Sequence, residues 1–227
     1  MSDRVELFTS PISHYCVSAE RMLAFKGVGW TSVYTPYHDR QELLRRTGQD
    51  YLPALLWGGR FVRWDEIPEF LERTIPRPSL FPDGRAALAR AIENWGHQVI
   101  EERVWRAVVT QVPPLLRTAH ERWVFEEMQT RARGPWDVLR HRAPEYRREL
   151  MPYFELVNEM LSGREWILDT PSLADFGVYG SLSPWWSVGE RTPTALRGLD
   201  RWARRIRSFG RPVAARNRPP ARSGAKK

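Results

Sequence analysis

The sequence predicts an α/β domain followed by an all-α domain. Strand-like and helix-like patterns alternate between residues 4 and 73, a proline-rich stretch follows, and no convincing strand pattern comes after it. At 227 residues the chain is long enough for one large domain or two small ones. The predicted boundaries are 1–75 for the α/β domain, 76–84 for a linker, 85–210 for the all-α domain and 211–227 for a basic tail that we expect to be disordered.

The first domain is predicted to have the element order β-α-β-α-β-β-α. In its strand segments, polar and apolar residues alternate or β-branched and aromatic residues predominate. Its helix segments carry apolar residues three or four positions apart. Gly58 and Gly59 separate two strands and predict a hairpin turn. The predicted elements are strand 4–8, helix 14–26, strand 30–34, helix 41–47, hairpin strands 53–57 and 60–62, and helix 65–73.

The second domain begins after a stretch with three prolines in ten residues, 75–84, which is typical of a linker. Helical periodicity then dominates, and the run 173–182 is apolar enough to be buried. The predicted helices span 85–109, 116–131, 144–161 and 194–208.

Composition excludes several classes of protein. One cysteine, Cys16, rules out an internal disulfide framework and a cysteine-rich zinc site, and it favours a reducing compartment. The five histidines have no HExxH or paired spacing, so we expect no metal. The start lacks a signal-peptide pattern, and no apolar run approaches the roughly 18 residues of a membrane span. The sequence therefore predicts a soluble cytoplasmic protein with no membrane partner.

The net charge of +8 raises the possibility of an acidic partner such as nucleic acid. Most basic residues are scattered among acids, however, and only the stretch after Asp200 contains no acid. A solvated basic tail is the favoured interpretation, which argues against a nucleic-acid partner.

Three short motifs resemble functional or signature segments of a known protein family. They are Ser10-Pro11-Ile12-Ser13-His14-Tyr15-Cys16, Tyr51-Leu52-Pro53-Ala54-Leu55 and Pro171-Ser172-Leu173-Ala174-Asp175-Phe176. With the domain order, they resemble the active-site turn, the cis-proline segment and the helical-domain signature of the glutathione S-transferase superfamily. The resemblance extends to about Gly210 and implies a thioredoxin-like domain, a helical-bundle domain, glutathione as co-substrate, a small hydrophobic electrophile and a homodimer.

The third motif is explained by its own residues. Ser172 and Asp175 have the spacing of a capping box before an apolar run, so each can accept a hydrogen bond from the other's backbone N–H. We expect a structural role for both.

In the first motif, Ser13 takes the place of the first cysteine of a Cys-x-x-Cys turn. The resemblance implies that its hydroxyl donates to the glutathione sulfur, and the alternative is a plain helix N-cap. Cys16 falls at the resolving position and is expected to be a small packing residue of the site. Tyr15 is an alternative donor to the thiol, and His14 is either a solvated ring or a contact to an anionic ligand.

The second motif implies that Leu52, before a cis Pro53, offers its backbone to glutathione; an ordinary turn proline is the alternative. Arg63 and Trp64 stand where many members of the family have Glu/Asp-Ser to hold the γ-glutamyl group. A one-residue shift would put Asp65 there, where it could cap the following helix or accept from an ammonium. Arg63 could meet a carboxylate. The γ-glutamyl site is therefore atypical.

The electrophile pocket is expected between the active-site turn and the first long helices of the second domain. Five residues in those segments are candidates, although each also fits the core or the surface: His97, Trp105, Arg106, Trp123 and Trp136.

Three functions fit the sequence. The favoured one is a glutathione-dependent transferase or a related dehalogenase, ether-cleaving enzyme or isomerase, with Ser13 as the catalytic residue. The alternative is a transferase-like binding or interaction module without turnover, which the unusual Arg63-Trp64 pair favours. A thiol-disulfide reductase using Cys16 is disfavoured because the nucleophilic position is a serine.

Overall fold

A computed structural model describes residues 4–210 and 212–216. The first domain contains a five-stranded sheet in the order β4-β3-β1-β2-β5. Strand β1 pairs in parallel with β2 and antiparallel with β3, and β3 and β4 form the predicted hairpin. The strands are β1 (Val5–Thr9), β2 (Thr31–Tyr34), β3 (Ala54–Trp57), β4 (Arg60–Arg63) and β5 (Ala214–Arg216).

Helices cover both faces of this sheet. They are α1 (His14–Phe25), α2 (Gln41–Thr47) and α3 (Ile67–Thr74). Because side chains alternate along a strand, Leu7 belongs to the core cluster that includes α1 and α3, whereas Phe8 belongs to a separate cluster with Leu43 of α2. Helix α2 ends at Gly48, which has a φ of 74° that favours glycine.

The second domain is helical throughout its described part apart from its connecting segments. Its helices are α4 (Ala86–Trp95), α5 (Glu101–Val108), α6 (Ala119–Arg133), α7 (Trp136–Met160), α8 (Leu173–Ser187) and α9 (Arg197–Ser208). One π-helical turn, Gly96–Ile100, joins α4 to α5. None of the described helices combines the length and apolar character that crossing a membrane requires.

Helix α8 is buried along most of its length and packs directly against α1 of the first domain. The Ser18 hydroxyl of α1 lies 3.0 Å from the Phe176 carbonyl oxygen and 3.1 Å from that of His14. A Cβ atom at Gly180 would lie 2.0 Å from Ser18 Oγ and 2.6 Å from the His14 carbonyl oxygen. The close approach of the two domains therefore requires a glycine at position 180.

Helix α7 is longer than the predicted helix 144–161, since it begins at Trp136. Pro144, where the predicted helix began, and Pro152 therefore both lie inside the helix. Both are exposed, so water can hydrogen-bond the carbonyl groups that lose their helical partners. The helix tolerates both prolines for this reason.

A second difference concerns the segment after α9, where no strand was predicted. Residues 214–216, assigned to the disordered tail, form β5 and pair in parallel with β2. The Val213 amide also donates to the Trp30 carbonyl oxygen at 2.9 Å. The open edge of β2 supplies this pairing, and the Ala-Ala-Arg sequence carries no strand signal of its own. Residues 211 and 217–227 of the predicted tail lie outside the described residues.

Candidate active site between the two domains

A cleft of about 180 Å³ separates α1 and α3 from α4 and the π-helical turn. The first domain contributes Tyr15, the proline at position 53 and the residues that precede α3. The second domain contributes five polar side chains: Arg90, Glu93, Asn94, His97 and Gln98. The lining residues that matter most are Tyr15, Pro53, Trp64, Asp65, Glu69, Glu93 and His97.

Ser13 is the N-cap of α1. Its backbone is extended, with φ of −78° and ψ of 118°, and its Oγ accepts a 3.4 Å hydrogen bond from the Cys16 amide. An accepting hydroxyl keeps its own proton, so the half-buried Ser13 side chain can still donate to a ligand atom. Ser13 lies at the entrance of α1, two residues before Tyr15, and is not one of the residues that line the 180 Å³ cleft.

Cys16 is fully buried in the first turns of α1. Its sulfur accepts a 3.5 Å hydrogen bond from the Ser10 amide. Burial raises the pKa of the Cys16 thiol to about 11, although hydrogen bonds to Ser13, Ser10 and Thr9 oppose this effect. The side chain is a neutral thiol at physiological pH, which fits a packing residue.

Four aromatic rings from both domains meet at the cleft. The Tyr15 ring centroid lies 4.7 Å from that of Trp64 and 4.3 Å from that of His97. The His14 centroid lies 4.0 Å from Tyr15 and 5.2 Å from His97. This aromatic cluster, Tyr15, Trp64, His14 and His97, joins the two domains, and all of its members except His14 line the cleft.

His14 is buried rather than solvated. Its Nδ1 lies 3.6 Å from Glu101 Oε1, and its Nε2 has no hydrogen-bond partner among the described residues. Burial lowers the pKa of His14 well below its usual value, and the charges of His97 and Arg133 lower it further. His14 is therefore a neutral imidazole at physiological pH.

Tyr15 is half-buried and borders the cleft directly. Burial, and after it the carboxylates of Glu101 and Glu93, raise the pKa of its phenol. The phenol stays protonated at physiological pH, so it is a hydrogen-bond donor available to a bound ligand.

Two carboxyl groups of the second domain are buried near the cleft: Glu93 lines it, and Glu101 lies beside His14. Burial raises the pKa of Glu93 to about 7, and the neighbouring Glu69 adds to the effect. Burial likewise raises the pKa of Glu101 to about 7, while Arg133, 3.3 Å away, opposes the rise. Burial lowers the pKa of His97 to about 4. Several of the groups around the cleft are thus shifted toward their neutral forms, as is common where a site is made for a ligand.

Sequence reasoning missed the π-helical turn and the buried carboxyl groups of Glu93 and Glu101. A continuous helix 85–109 was predicted, but residues 96–100 form one wider turn that places His97 Nδ1 3.3 Å from Ser181 Oγ of α8. A Cβ atom at Gly96 would lie 3.3 Å from the Val178 Cα atom, so glycine permits this approach. Gly96 inside an otherwise helical pattern was the one available signal.

The residues before α3 are arranged differently from the expectation. Asp65 does not cap α3: Glu66 is the N-cap and makes no side-chain capping bond. Instead, both carboxylate oxygens of Asp65 accept from the guanidinium of Arg63, at 2.5 and 2.7 Å. Arg63 and Asp65 are both exposed, Asp65 lines the cleft, and Trp64 between them packs against Tyr15.

The Leu52-Pro53 peptide bond is cis, as the motif predicted. Pro53 borders the cleft, whereas the Leu52 side chain packs against the cluster on the α2 side of the sheet. The predicted backbone contact of Leu52 to a ligand stays a prediction.

Of the five residues predicted for the electrophile pocket, only His97 lines the cleft. Trp105 is in the core, Trp136 packs at its edge, and Trp123 is 59% exposed. Arg106 pairs with Glu102 at 2.7 Å. Within residues 4–210 and 212–216, no group of three or more His, Cys, Asp or Glu side chains is placed to hold a metal ion.

No family model and no curated protein matches the chain. Solved structures do match it. A glutathione S-transferase from Rhodospirillum rubrum F11 is 19% identical, with a TM-score of 0.71, over 90% of this chain and 88% of that chain. Glutaredoxin 2 from Salmonella typhimurium, in complex with glutathione, is 16% identical, with a TM-score of 0.75, over 91% and 96%.

The beta-etherase LigF from Sphingobium sp. strain SYK-6 is 18% identical, with a TM-score of 0.64, over 90% of this chain and 95% of that chain. The three proteins differ in the activities that their names state. Their coverage includes both domains of the present chain. The chain therefore has the fold of the glutathione S-transferase superfamily.

Proposed function

We propose that the cleft between the domains binds glutathione and that the chain is a glutathione S-transferase-like enzyme acting on a small hydrophobic electrophile. The observation that carries the proposal is that Tyr15 and Pro53 both line the cleft, with Ser13, the N-cap of α1, two residues before Tyr15. A neighbour of the same fold has glutathione bound.

The proposed chemistry is nucleophilic attack by the thiolate of glutathione. A sulfur–carbon bond forms, the bond from that carbon to its leaving group breaks, and the thiol proton passes to solvent. Ser13 Oγ, and Tyr15 Oη as the second candidate, would donate a hydrogen bond to the thiolate. The positive end of the α1 dipole lowers the thiol pKa in the same direction.

The pair of Arg63 and Asp65 is suited to the γ-glutamyl end of glutathione. That end is an amino acid zwitterion, so its ammonium matches Asp65 and its carboxylate matches the Arg63 guanidinium. The Arg63–Asp65 pair is exposed, and exposed pairs contribute little stability, so exchanging it for ligand contacts costs little.

A second function, a binding module without turnover, is favoured by the size of the cleft. Its volume of about 180 Å³ lies below the roughly 300–1,000 Å³ typical of small-molecule sites. Trp64, whose ring packs at a tilt against Tyr15, takes up part of the space. Disulfide reduction is not proposed, because Ser13 replaces the nucleophilic cysteine and Cys16 is a buried neutral thiol.

The test combines calorimetry with an activity assay on the full chain. Glutathione and S-methylglutathione are titrated first, and conjugation of glutathione to an activated aryl halide is then followed by absorbance. Binding with turnover supports the enzyme, and binding without turnover for a panel of electrophiles supports the binding module. If neither glutathione nor S-methylglutathione binds at millimolar concentration, glutathione is not the ligand.

A further inference from the structure

A second cleft lies in the helical domain, at the C-terminal end of α8, the following loop and the first turn of α9. Its volume is about 460 Å³, which falls within the range of small-molecule sites. None of its lining residues also lines the cleft between the domains. The proposed glutathione chemistry makes no use of it.

The loop that forms one wall is held in place by side-chain hydrogen bonds. Trp185 Nε1 donates to the Arg191 carbonyl oxygen at 3.1 Å, and Trp186 Nε1 donates to Thr192 Oγ1 at 3.1 Å. Glu190 Oε1 accepts from Arg147 at 2.6 Å. Three consecutive loop residues are thus fixed before any ligand arrives, which lowers the entropic cost of binding.

Three arginines line this cleft: Arg191, Arg197 and Arg207. In the described part of the chain, neither Arg191 nor Arg197 has a carboxylate within ion-pair distance. Arg207 lies 5.4 Å above the Trp186 ring and donates its Nε to the Ala203 carbonyl oxygen at 3.1 Å. This leaves the two terminal nitrogens of Arg207, with four donor hydrogens, for a ligand.

The two acids of the cleft are already neutralised by other arginines. Glu190 pairs with Arg147, and Asp200 pairs with Arg204 at 2.5 Å. The lining therefore presents an excess of uncompensated positive charge. The N-terminus of α9, a helix of 12 residues whose N-cap makes no side-chain bond, adds the positive end of its dipole beside Arg197.

We propose that this arginine cleft, defined by Arg191, Arg197 and Arg207, binds a small polyanion that carries phosphate or carboxylate groups. Guanidinium forks match both groups through paired hydrogen bonds, and three of them suit a ligand with more than one anionic group. Thr192 Oγ1 accepts from Trp186, so its own proton remains available to an anionic oxygen.

The probes are inorganic pyrophosphate, citrate and orthophosphate, titrated by calorimetry into the full chain at physiological salt. Pyrophosphate or citrate is expected to bind more tightly than orthophosphate, because each carries more charge. Binding of pyrophosphate alone assigns a phosphorylated ligand, and binding of citrate alone assigns a polycarboxylate; either result supports the proposal. Absence of binding by both at millimolar concentration overturns it.

Variants locate the binding. The double variant Arg191→Gln/Arg197→Gln should weaken binding of the polyanion by about tenfold or more, because two charge-assisted contacts are lost. Arg45→Gln, an exposed arginine of α2, removes the same kind of charge from the other domain and should leave affinity within about twofold. Equal weakening by Arg45→Gln would show a non-specific charge effect and overturn the site.

Two further readouts keep the result interpretable. The thermal unfolding midpoint of the double variant should match that of the wild type, since neither arginine is paired in the described structure. Glutathione binding should also be unchanged, so that failure of the arginine cleft and failure of the proposed function are separate outcomes. A folded double variant that binds pyrophosphate or citrate as well as the wild type contradicts the proposal.

Discussion

The indole Nε1 of Trp202 donates a 2.8 Å hydrogen bond to Oδ1 of Asp175, and both side chains are fully buried. The same oxygen accepts from the Ile167 amide at 3.0 Å. The other oxygen accepts from the Ser172 amide at 3.0 Å and from Ser172 Oγ at 2.8 Å. The predicted capping box is therefore confirmed, and its carboxylate also ties α8 to α9 and to the segment before α8.

Replacing Asp175 should destabilise the fold strongly. Burial raises the pKa of Asp175 to about 6, so the group is ionised at neutral pH and accepts four hydrogen bonds. Asp175→Asn offers one acceptor oxygen and two unwanted donors, so unfolding free energy should fall by about 2–4 kcal/mol. Urea denaturation measures the change. Glu159→Gln, on the exposed face of α7, is the control and should stay within about 0.5 kcal/mol.

Ser13→Ala should have two separable effects. Loss of the N-cap bond to the Cys16 amide should lower stability by about 1 kcal/mol. Loss of a charge-assisted hydrogen bond to the thiolate, about 1.5–3 kcal/mol, should slow conjugation roughly 10- to 150-fold at neutral pH. Part of that rate should return as pH rises, because the bound thiol then ionises even without the hydrogen bond from Ser13.

The pH–rate profile and the unfolding curve are measured on the same Ser13→Ala protein. A stability loss with an unchanged pH–rate profile would assign Ser13 to capping alone. Tyr15→Phe would then be the variant expected to slow the reaction, since Tyr15 is the neutral donor that borders the cleft.

Cys16→Ala should leave conjugation largely intact. The thiol is fully buried and its pKa is raised to about 11, so it is not a nucleophile at neutral pH. Removing the sulfur leaves a small cavity and should lower stability by about 1–2 kcal/mol. Steady-state kinetics and thermal unfolding check the two parts, and complete loss of activity at wild-type stability would contradict the packing role.

Stability should respond to pH through Glu93. Its pKa is about 7 in the folded chain against an ordinary value of 4.5, so the folded state holds more protons than the unfolded state between these values. Linkage then requires the unfolding free energy to fall as pH rises from about 4.5 to 7. Glu93→Gln should remove this contribution, so the variant should gain stability relative to the wild type as pH rises through that window. Equal pH dependence in variant and wild type would contradict the burial of this carboxyl.

We also expect a homodimer, as the family resemblance implies. Each chain has a mass of 26.6 kDa, so multi-angle light scattering should return twice that value at micromolar concentration. A mass that stays at 26.6 kDa across the concentration range would refute the expectation.

Local signals explain which elements could be predicted. Helix α2 matches its predicted bounds, 41–47, because the glycine at position 48 marks its end in the sequence. In the structure Gly48 adopts the left-handed conformation that ends many helices. The capping box of Ser172 and Asp175 is similarly local, since three residues of spacing define it. The cis Pro53 depended on the family motif, because composition alone does not distinguish it from a turn proline.

Features that depend on tertiary contacts could not be predicted. Strand β5 owes its conformation to the edge of β2, and the π-helical turn at 96–100 departs from the 3.6-residue period on which the pattern reading relied. The raised pKa values of Glu93 and Glu101 result from burial where the domains meet, which no local pattern encodes. The sequence motifs therefore located the wall of the candidate site that the first domain forms, but not the wall that the second domain forms.

Strand β5 has a consequence for synthesis of the chain. Its partner β2 is made among the first 34 residues, but β5 follows the entire helical domain. During translation the outer edge of β2 keeps unsatisfied N–H and C=O groups until residue 216 has left the ribosome, and such an edge is open to pairing with other chains. The nascent first domain is thus at greatest risk of aggregation while the helices are still being made. Pairing of β5 with β2 then covers the exposed edge.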